Sequence, residues 1–408
     1  MTKGVIELKH NLQGKYGKAS VYAKVIDHAT KVQIIELLNE EITDGNKVAI
    51  MPDTHAGKGS PVGTTIKIAN DKVSPNVVGV DIGCGVMVTK IKPQRSFNQR
   101  ELARLDQSVR SYIPAGFNVH SGNSRHRLVG DLLKDLTFDV GNDEHIHRSL
   151  GTLGGGNHFW ELAHDEQTDS YYILVHSGSR NLGKQVAEHH QKQAIAAVKE
   201  SMVNVGEIIE RLKSEGRHKE IQSTIESFKT PHFNEHLAYL EGESLSNYLD
   251  DMNLAQMYAH ENRKAMTLSV VKAMGFEVLD SFDSVHNYVD LSQMILRKGA
   301  TDATKNMRLV IPINMRDGSI LATGKGNADW NYSAPHGAGR IMSRREAKES
   351  ITLDKMKDDM KDIYTTSVNE STLDEAPDAY KPIDAIVDVI GETVDINAVI
   401  KPIYNFKA

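Results

Sequence analysis

Five side chains able to hold a metal ion, and one able to carry a covalent phosphoryl group, lie scattered along this chain, most of them in glycine-rich stretches. Asp81 and Cys84 lie three residues apart in V-G-V-D-I-G-C-G, where Gly83 and Gly85 free the backbone to turn both side chains toward one point. His158 closes the stretch G-T-L-G-G-G-N-H-F that begins at Gly151, His176 opens H-S-G-S-R, and His286 opens H-N-Y. One carboxylate, one thiolate and three imidazoles suit a transition metal, and a bridging thiolate can serve two ions. On ligand softness alone the metal is zinc. The covalent candidate is His336, set in S-A-P-H-G-A-G-R-I-M-S between a proline and two glycines. A free imidazole titrates near about 6.5, so its nucleophilic neutral form is available at pH 7.

Anion binding has its own candidates. The backbone N–H groups of Gly154-Gly155-Gly156-Asn157 can approach a phosphate closely, and Lys58, Arg180, Lys298 and Arg340 are cations set among small residues. Each of these has a plain structural reading as well. Turns need glycine, surface cations are solvated, and a lone cysteine is usually a small hydrophobe. Taken jointly, metal ligands, phosphate binders and a nucleophilic histidine point to phosphoryl or nucleotidyl transfer through a phosphohistidine. Metal ions and cations would absorb the charge of the leaving pyrophosphate.

The elements that must position these residues are ordinary ones. With 408 residues, 39% hydrophobic and 25% charged, the chain can bury a large core. The absence of linker-like or repeated stretches suggests one compact α+β domain, 1–408, with a mainly helical excursion at about 185–275. Strand patterns are expected at Lys47–Met51, Thr64–Ala69, Tyr171–Val175, Arg308–Ile313 and Ile320–Thr323, and the apolar run Val77–Val80 reads as strand-like. Helices are expected over Asn98–Ser111, Gln185–Phe228 with a break near Gly216, Leu245–Met274 and Asp354–Tyr364. Ser343 with Glu346 is a capping-box signature that starts a helix just after the His336 loop. The polar stretch His120–Arg127, with Arg125 in it, reads as a loop. A single cysteine excludes an intramolecular disulfide, and a net charge of −6 argues against coating nucleic acid by bulk positive potential. No apolar run is long enough for a membrane helix and no signal-peptide core is present, so a cytoplasmic protein is expected.

Several of these stretches together resemble one family, the RtcB-type RNA-splicing ligases. They are M-P-D-T-H-A-G-K-G at Met51, V-G-V-D-I-G-C-G at Val78, G-T-L-G-G-G-N-H-F-W-E at Gly151, H-S-G-S-R at His176, H-N-Y at His286, R-K-G-A at Arg297 and H-G-A-G-R-I-M-S-R at His336. The resemblance implies a central β-sandwich-like core of mixed sheets wrapped by helices. It also implies a ligase dependent on GTP and two Mn2+ ions, joining an RNA 3′-phosphate or 2′,3′-cyclic phosphate end to a 5′-hydroxyl end in tRNA splicing or RNA repair. In that scheme His336 takes GMP from GTP and passes it to the RNA 3′-phosphate. Asp81, Cys84, His158, His176 and His286 match the metal ligands, Cys84 being shared. Asn157, His158, Glu161, His336, Gly337, Gly339, Tyr380 and Lys407 match the nucleotide site. Arg180, Lys298, Arg340 and Asp53 match residues of catalysis or RNA-end binding, and an archease-like activator is a possible partner.

Two departures stand out. Family members often carry Gly-Ser in the loop before the nucleophile, where this chain has Ile313-Asn314-Met315-Arg316, and Asn181-Leu182 follows Arg180 where glycine is common. They suggest a divergent branch serving a repair substrate. Two other functions fit the same residues: a metal-dependent phosphodiesterase that opens cyclic phosphates without using His336, and a non-catalytic RNA-binding protein.

Overall fold

The computed structural model describes residues 10–122, 126–201, 205–222 and 234–408. Arg125 and residues 223–228 of the expected second helix lie outside them. Two large sheets form the centre. One has six strands, in the spatial order His10–Gln13, Lys18–Val21, Lys47–His55, Val62–Lys67, Ile295–Lys298 and Asn287–Asp290. The other has seven, in the order Arg308–Asn314, Gly318–Gly324, Val394–Phe406, Phe159–Asp165, Ser170–Ser177, Gly85–Lys92 and Glu277–Val285. Pairing is antiparallel except between Lys18–Val21 and Lys47–His55. The seven-stranded sheet curls until its outer strands meet, Arg308 of one pairing with Asp280 of the other. This is the expected α+β class, with sheets at the centre and helices around them.

Alternation along the strands decides which face does what, because successive side chains point to opposite sides. In the seven-stranded sheet Ile91, Trp160, Leu162, Ile173 and Val175 share one apolar cluster with residues of the helices Gln99–Tyr112 and Gly242–Met274. Val86, Val88, Phe159 and Leu174 belong to a separate cluster on the other face. Counting by twos from these residues puts Cys84, Glu161 and His176 on that second side. The site thus grows from the face that the two helices leave open.

Some expectations change. The run Val77–Val80 is no strand: Pro75–Val78 is a single helical turn with proline in its first turn, ended by Gly79 at φ +106. Proline pre-sets a helical φ at the first position, and a four-residue apolar run carries no period with which to tell the two apart. The helix expected at Asp354–Tyr364 stops at Asp359, and Tyr364 bridges to Tyr404 instead. The first helix of the middle segment begins earlier, at Arg180, and the break near Gly216 is present, that residue having φ +72. The 33-residue helix Gly242–Met274 runs through the core, contacting both the seven-stranded sheet and the helix Arg180–Ser201. The capping box at Ser343 and Glu346 forms and starts the helix Arg344–Ser350.

Candidate active site

All five expected ligands come together. Cys84 Sγ lies 3.5 Å from His158 Nε2 and 3.4 Å from His176 Nε2. His158 Nε2 is also 3.0 Å from Asp81 Oδ2, and His176 Nε2 is 3.3 Å from His286 Nε2. Cys84 and the three histidines are buried. The Nδ1 atoms of two of the rings are engaged elsewhere, His158 with the Leu153 carbonyl at 2.9 Å and His176 with the Asn157 carbonyl at 3.2 Å. Donation to a carbonyl fixes those tautomers and turns each Nε2 lone pair inward. Burial holds His176 and His286 well below the usual imidazole range, in the neutral form that binds metals, and pushes the Cys84 thiol up. The result is a nest of lone pairs facing one another unless a proton or a cation sits among them. Ligand atoms about 2.0–2.3 Å from one ion stand roughly 3.3–3.8 Å apart in a tetrahedral arrangement, so the observed spacings fit a shared metal.

His336 is delivered to this cluster by a short ribbon in which Ala300–Asp302 pairs with Ser333–Pro335. Its ring lies 4.7 Å from that of His286, centroid to centroid. Its Nδ1 is 2.7 Å from Oδ2 of Asp53, which is fully buried. That contact occupies Nδ1 and leaves Nε2 as the reactive atom. Gly339 is required here: a Cβ on it would fall 2.0 Å from the Asp53 carbonyl oxygen, and its φ is +76. Lys381 braces the same turn, its Nζ donating to the carbonyls of Pro52 at 2.9 Å and Thr54 at 3.2 Å, on either side of Asp53.

A cavity of about 1270 Å³ opens over His336 and reaches a second polar cluster. There Glu375 accepts from Lys407 Nζ at 2.7 Å, Arg344 at 2.7 Å, Arg340 at 3.2 Å and the Tyr380 hydroxyl at 2.5 Å. Burial alone would raise its pKa, but Lys407 and Arg344 hold it at about 2. Nearby Glu161 is buried with one oxygen accepting from Asn405 at 3.0 Å, while Oε1 has no partner among the described residues. Burial lifts this carboxyl to about 8.

The remaining expected residues divide. Asn157, Gly337, Gly339, Arg340, Tyr380, Lys407 and Lys298 line the cavity. Among the described residues Lys298 has no carboxylate partner; its Nζ donates to four oxygens of Lys58, Ser60 and Asn76, and burial, with Lys58 nearby, lowers it to about 7. Arg180 does not line the cavity: it contacts Thr152 Oγ1 at 3.2 Å and packs against Gly154, where a Cβ would collide with its guanidinium. Of the two departures, Ile313, Asn314 and Met315 border the cavity, whereas Leu182 is buried in the core. Sequence reading missed Glu375 and Lys381. Each is a charged residue in a short turn-rich segment, with no motif to mark it. No helix among the described residues is long and apolar enough to cross a membrane.

Comparison with known proteins identifies the family. The family described as tRNA-splicing ligase RtcB matches residues 40–137 and 134–408. An RNA-splicing ligase RtcB of Escherichia coli is 30% identical, the alignment covering 86% of this chain and 87% of that protein. A tRNA-splicing ligase RtcB of Aeropyrum pernix is 27% identical, with 83% of each chain covered, and one of Thermococcus kodakarensis is 26% identical over 86% and 85%.

Proposed function

The chain belongs to the RtcB family of RNA ligases, and from that premise we propose that it joins an RNA 3′-phosphate or 2′,3′-cyclic phosphate end to a 5′-hydroxyl end, using GTP and manganese. The observation that supports this most is the pairing of His336 Nδ1 with the buried Asp53 in the cavity that also holds the Cys84 cluster. With Nδ1 occupied, Nε2 attacks the α-phosphorus of GTP. The N–P bond forms, the bond to the β-phosphate oxygen breaks, and pyrophosphate leaves. Asp53 stabilises the positive charge that the ring acquires. An oxygen of the RNA 3′-phosphate then attacks the same phosphorus, freeing His336 and giving RNA-(3′)pp(5′)G. The RNA 5′-hydroxyl finally attacks the 3′-phosphate, GMP leaves, and the strands are joined. A cyclic phosphate is first opened by water.

Asp81, Cys84, His158, His176 and His286 would hold a divalent ion, which when bound would supply charge neutralisation for the phosphate oxygens and the leaving pyrophosphate. The unpartnered Glu161 oxygen suits an N–H edge such as that of guanine, and Tyr380 and Lys407 border the same space. Arg340 and Lys298 face the phosphates or the RNA ends from the cavity wall, and Arg180 supports the glycine-rich loop beside Asn157.

The test is joining of end-labelled RNA halves. Product should require GTP and manganese and should fall roughly 10³-fold or more in His336→Ala. Joining that persists in this variant would contradict the mechanism, and opening of cyclic ends without joining would favour the phosphodiesterase.

A further inference from the structure

The five ligands come from four segments of chain, and strand pairing does not reach all of them. Gly85 pairs with Ser177 and with Val285, but Asp81–Cys84 and Gly151–His158 lie beyond the strand ends. Two neighbouring side chains on the helix Gly242–Met274, Asn262 and Arg263, bridge these segments, and both are fully buried.

Asn262 Oδ1 accepts from the backbone N–H of Gly151 at 2.7 Å and of Thr152 at 3.1 Å. Its Nδ2 donates to the Thr152 carbonyl, Ser177 Oγ and the Gly178 carbonyl, each at 3.1 Å. Ser177 Oγ donates in turn to the Leu153 carbonyl at 2.8 Å, the same oxygen that orients His158. Arg263 reaches the other side. One guanidinium nitrogen donates to the Gly83 carbonyl at 2.8 Å and the Ser177 carbonyl at 2.7 Å, next to Cys84 and His176. The others grip Asp283 at 2.8 and 2.5 Å, three residues before His286. The helix sits so close that a Cβ on Gly83 would be 2.9 Å from Gln256 Cα.

Consecutive helical residues point about 100° apart, so one turn of helix addresses both groups of segments. Burying an amide and a guanidinium beside Ala255, Ala259, Met266 and Val270, on a helix whose other buried polar residues include Asp251 and Thr267, costs desolvation that an apolar pair would avoid. Core stability alone does not account for them. We propose that Asn262 and Arg263 are positioning residues of the metal centre: they set the mutual distances of its ligand loops, and so its metal affinity, without touching metal or RNA. The proposal rests on the reading of the Cys84 cluster as a metal site.

Cobalt(II) titration of the full chain, followed by thiolate-to-metal charge-transfer and d–d absorption, tests it without using activity. The wild type should bind with a cysteine-ligand band. Asn262→Ala and Arg263→Lys should need about 10–100-fold more cobalt and show a shifted d–d envelope, as expected for loss of outer-shell support. Ser177→Ala, a milder change, should shift affinity in the same direction and covers the case in which Arg263→Lys does not fold. Asp251→Asn removes the charge from another buried contact of the same helix, to His190 at 2.7 Å, and should lower the melting temperature while leaving cobalt affinity unchanged. Wild-type affinity and spectrum in folded Asn262→Ala and Ser177→Ala would overturn the proposal. So would an equal affinity loss in Asp251→Asn. Absence of cobalt binding by the wild type would instead remove the metal reading on which it stands.

Discussion

Two buried polar clusters border one cavity, and they handle charge in opposite ways. Around Glu375 a single carboxylate meets four donors, from Lys407, Arg344, Arg340 and Tyr380, and the cluster is satisfied by the chain itself. Around Cys84 the arrangement is reversed: a thiol, a carboxylate and three imidazoles face one another, with the carbonyl-bonded nitrogens of His158 and His176 turned away. The first cluster is complete as folded, whereas the second presents grouped lone pairs that suit a cation. Self-satisfied charge suits a rigid wall for a nucleotide, and a nest of lone pairs suits metal chemistry. His336 lies between the two functions, held by Asp53.

Substitutions should separate these regions. The largest effect is expected where they meet: Asp53→Asn keeps the shape but loses the charge that stabilises the His336 ring, and guanylylation should slow by roughly 10³–10⁴-fold, comparable to the orienting carboxylate of a catalytic triad. Cys84→Ser should reduce metal affinity by about 100-fold or more, read by metal content after gel filtration, with the melting curve of the metal-free protein little changed. Glu375→Gln should do the converse. It leaves Lys407, Arg340 and Arg344 without their shared anion, destabilises the fold by about 2 kcal/mol in urea, and leaves metal content intact. Equal metal loss in Glu375→Gln would erase the distinction between the clusters.

The last test is a pH slope at Glu161. Its folded pKa of about 8 lies above the ordinary 4.5, so the folded state holds a proton that the unfolded state has released. Stability from this group is complete below pH 4.5 and is lost as pH rises through 8. Glu161→Gln should flatten that part of the urea midpoint profile between pH 5 and 9.

The two clusters also differ in how far they can be read from sequence. Asp81, Cys84, His158 and His176 lie in glycine-rich stretches, whereas His286 has no glycine near it, so residue type and local context suggest a cluster and the family resemblance supplies the set of five. Glu375 has no such marker, because its partners arrive from a helix start at Arg344 and a chain end at Lys407. The strand Val394–Phe406, central in its sheet, is hidden by Pro402, which would normally exclude a central strand; a bulge between Pro402 and Tyr404 accommodates it. Asn262 and Arg263 carry no such marker, since they sit within the polar run H-E-N-R-K of a long helix, and a helical pattern does not reveal what it packs against. Long-range partners are what periodicity cannot supply.

The account turns on one atom. Incubation of the protein with GTP and manganese, followed by proteolysis under conditions that preserve phosphoramidates and peptide mass spectrometry, should find a single GMP addition mapping to His336 and absent from His336→Ala. A metal-loaded protein that carries no adduct, or carries it on another residue, would contradict it.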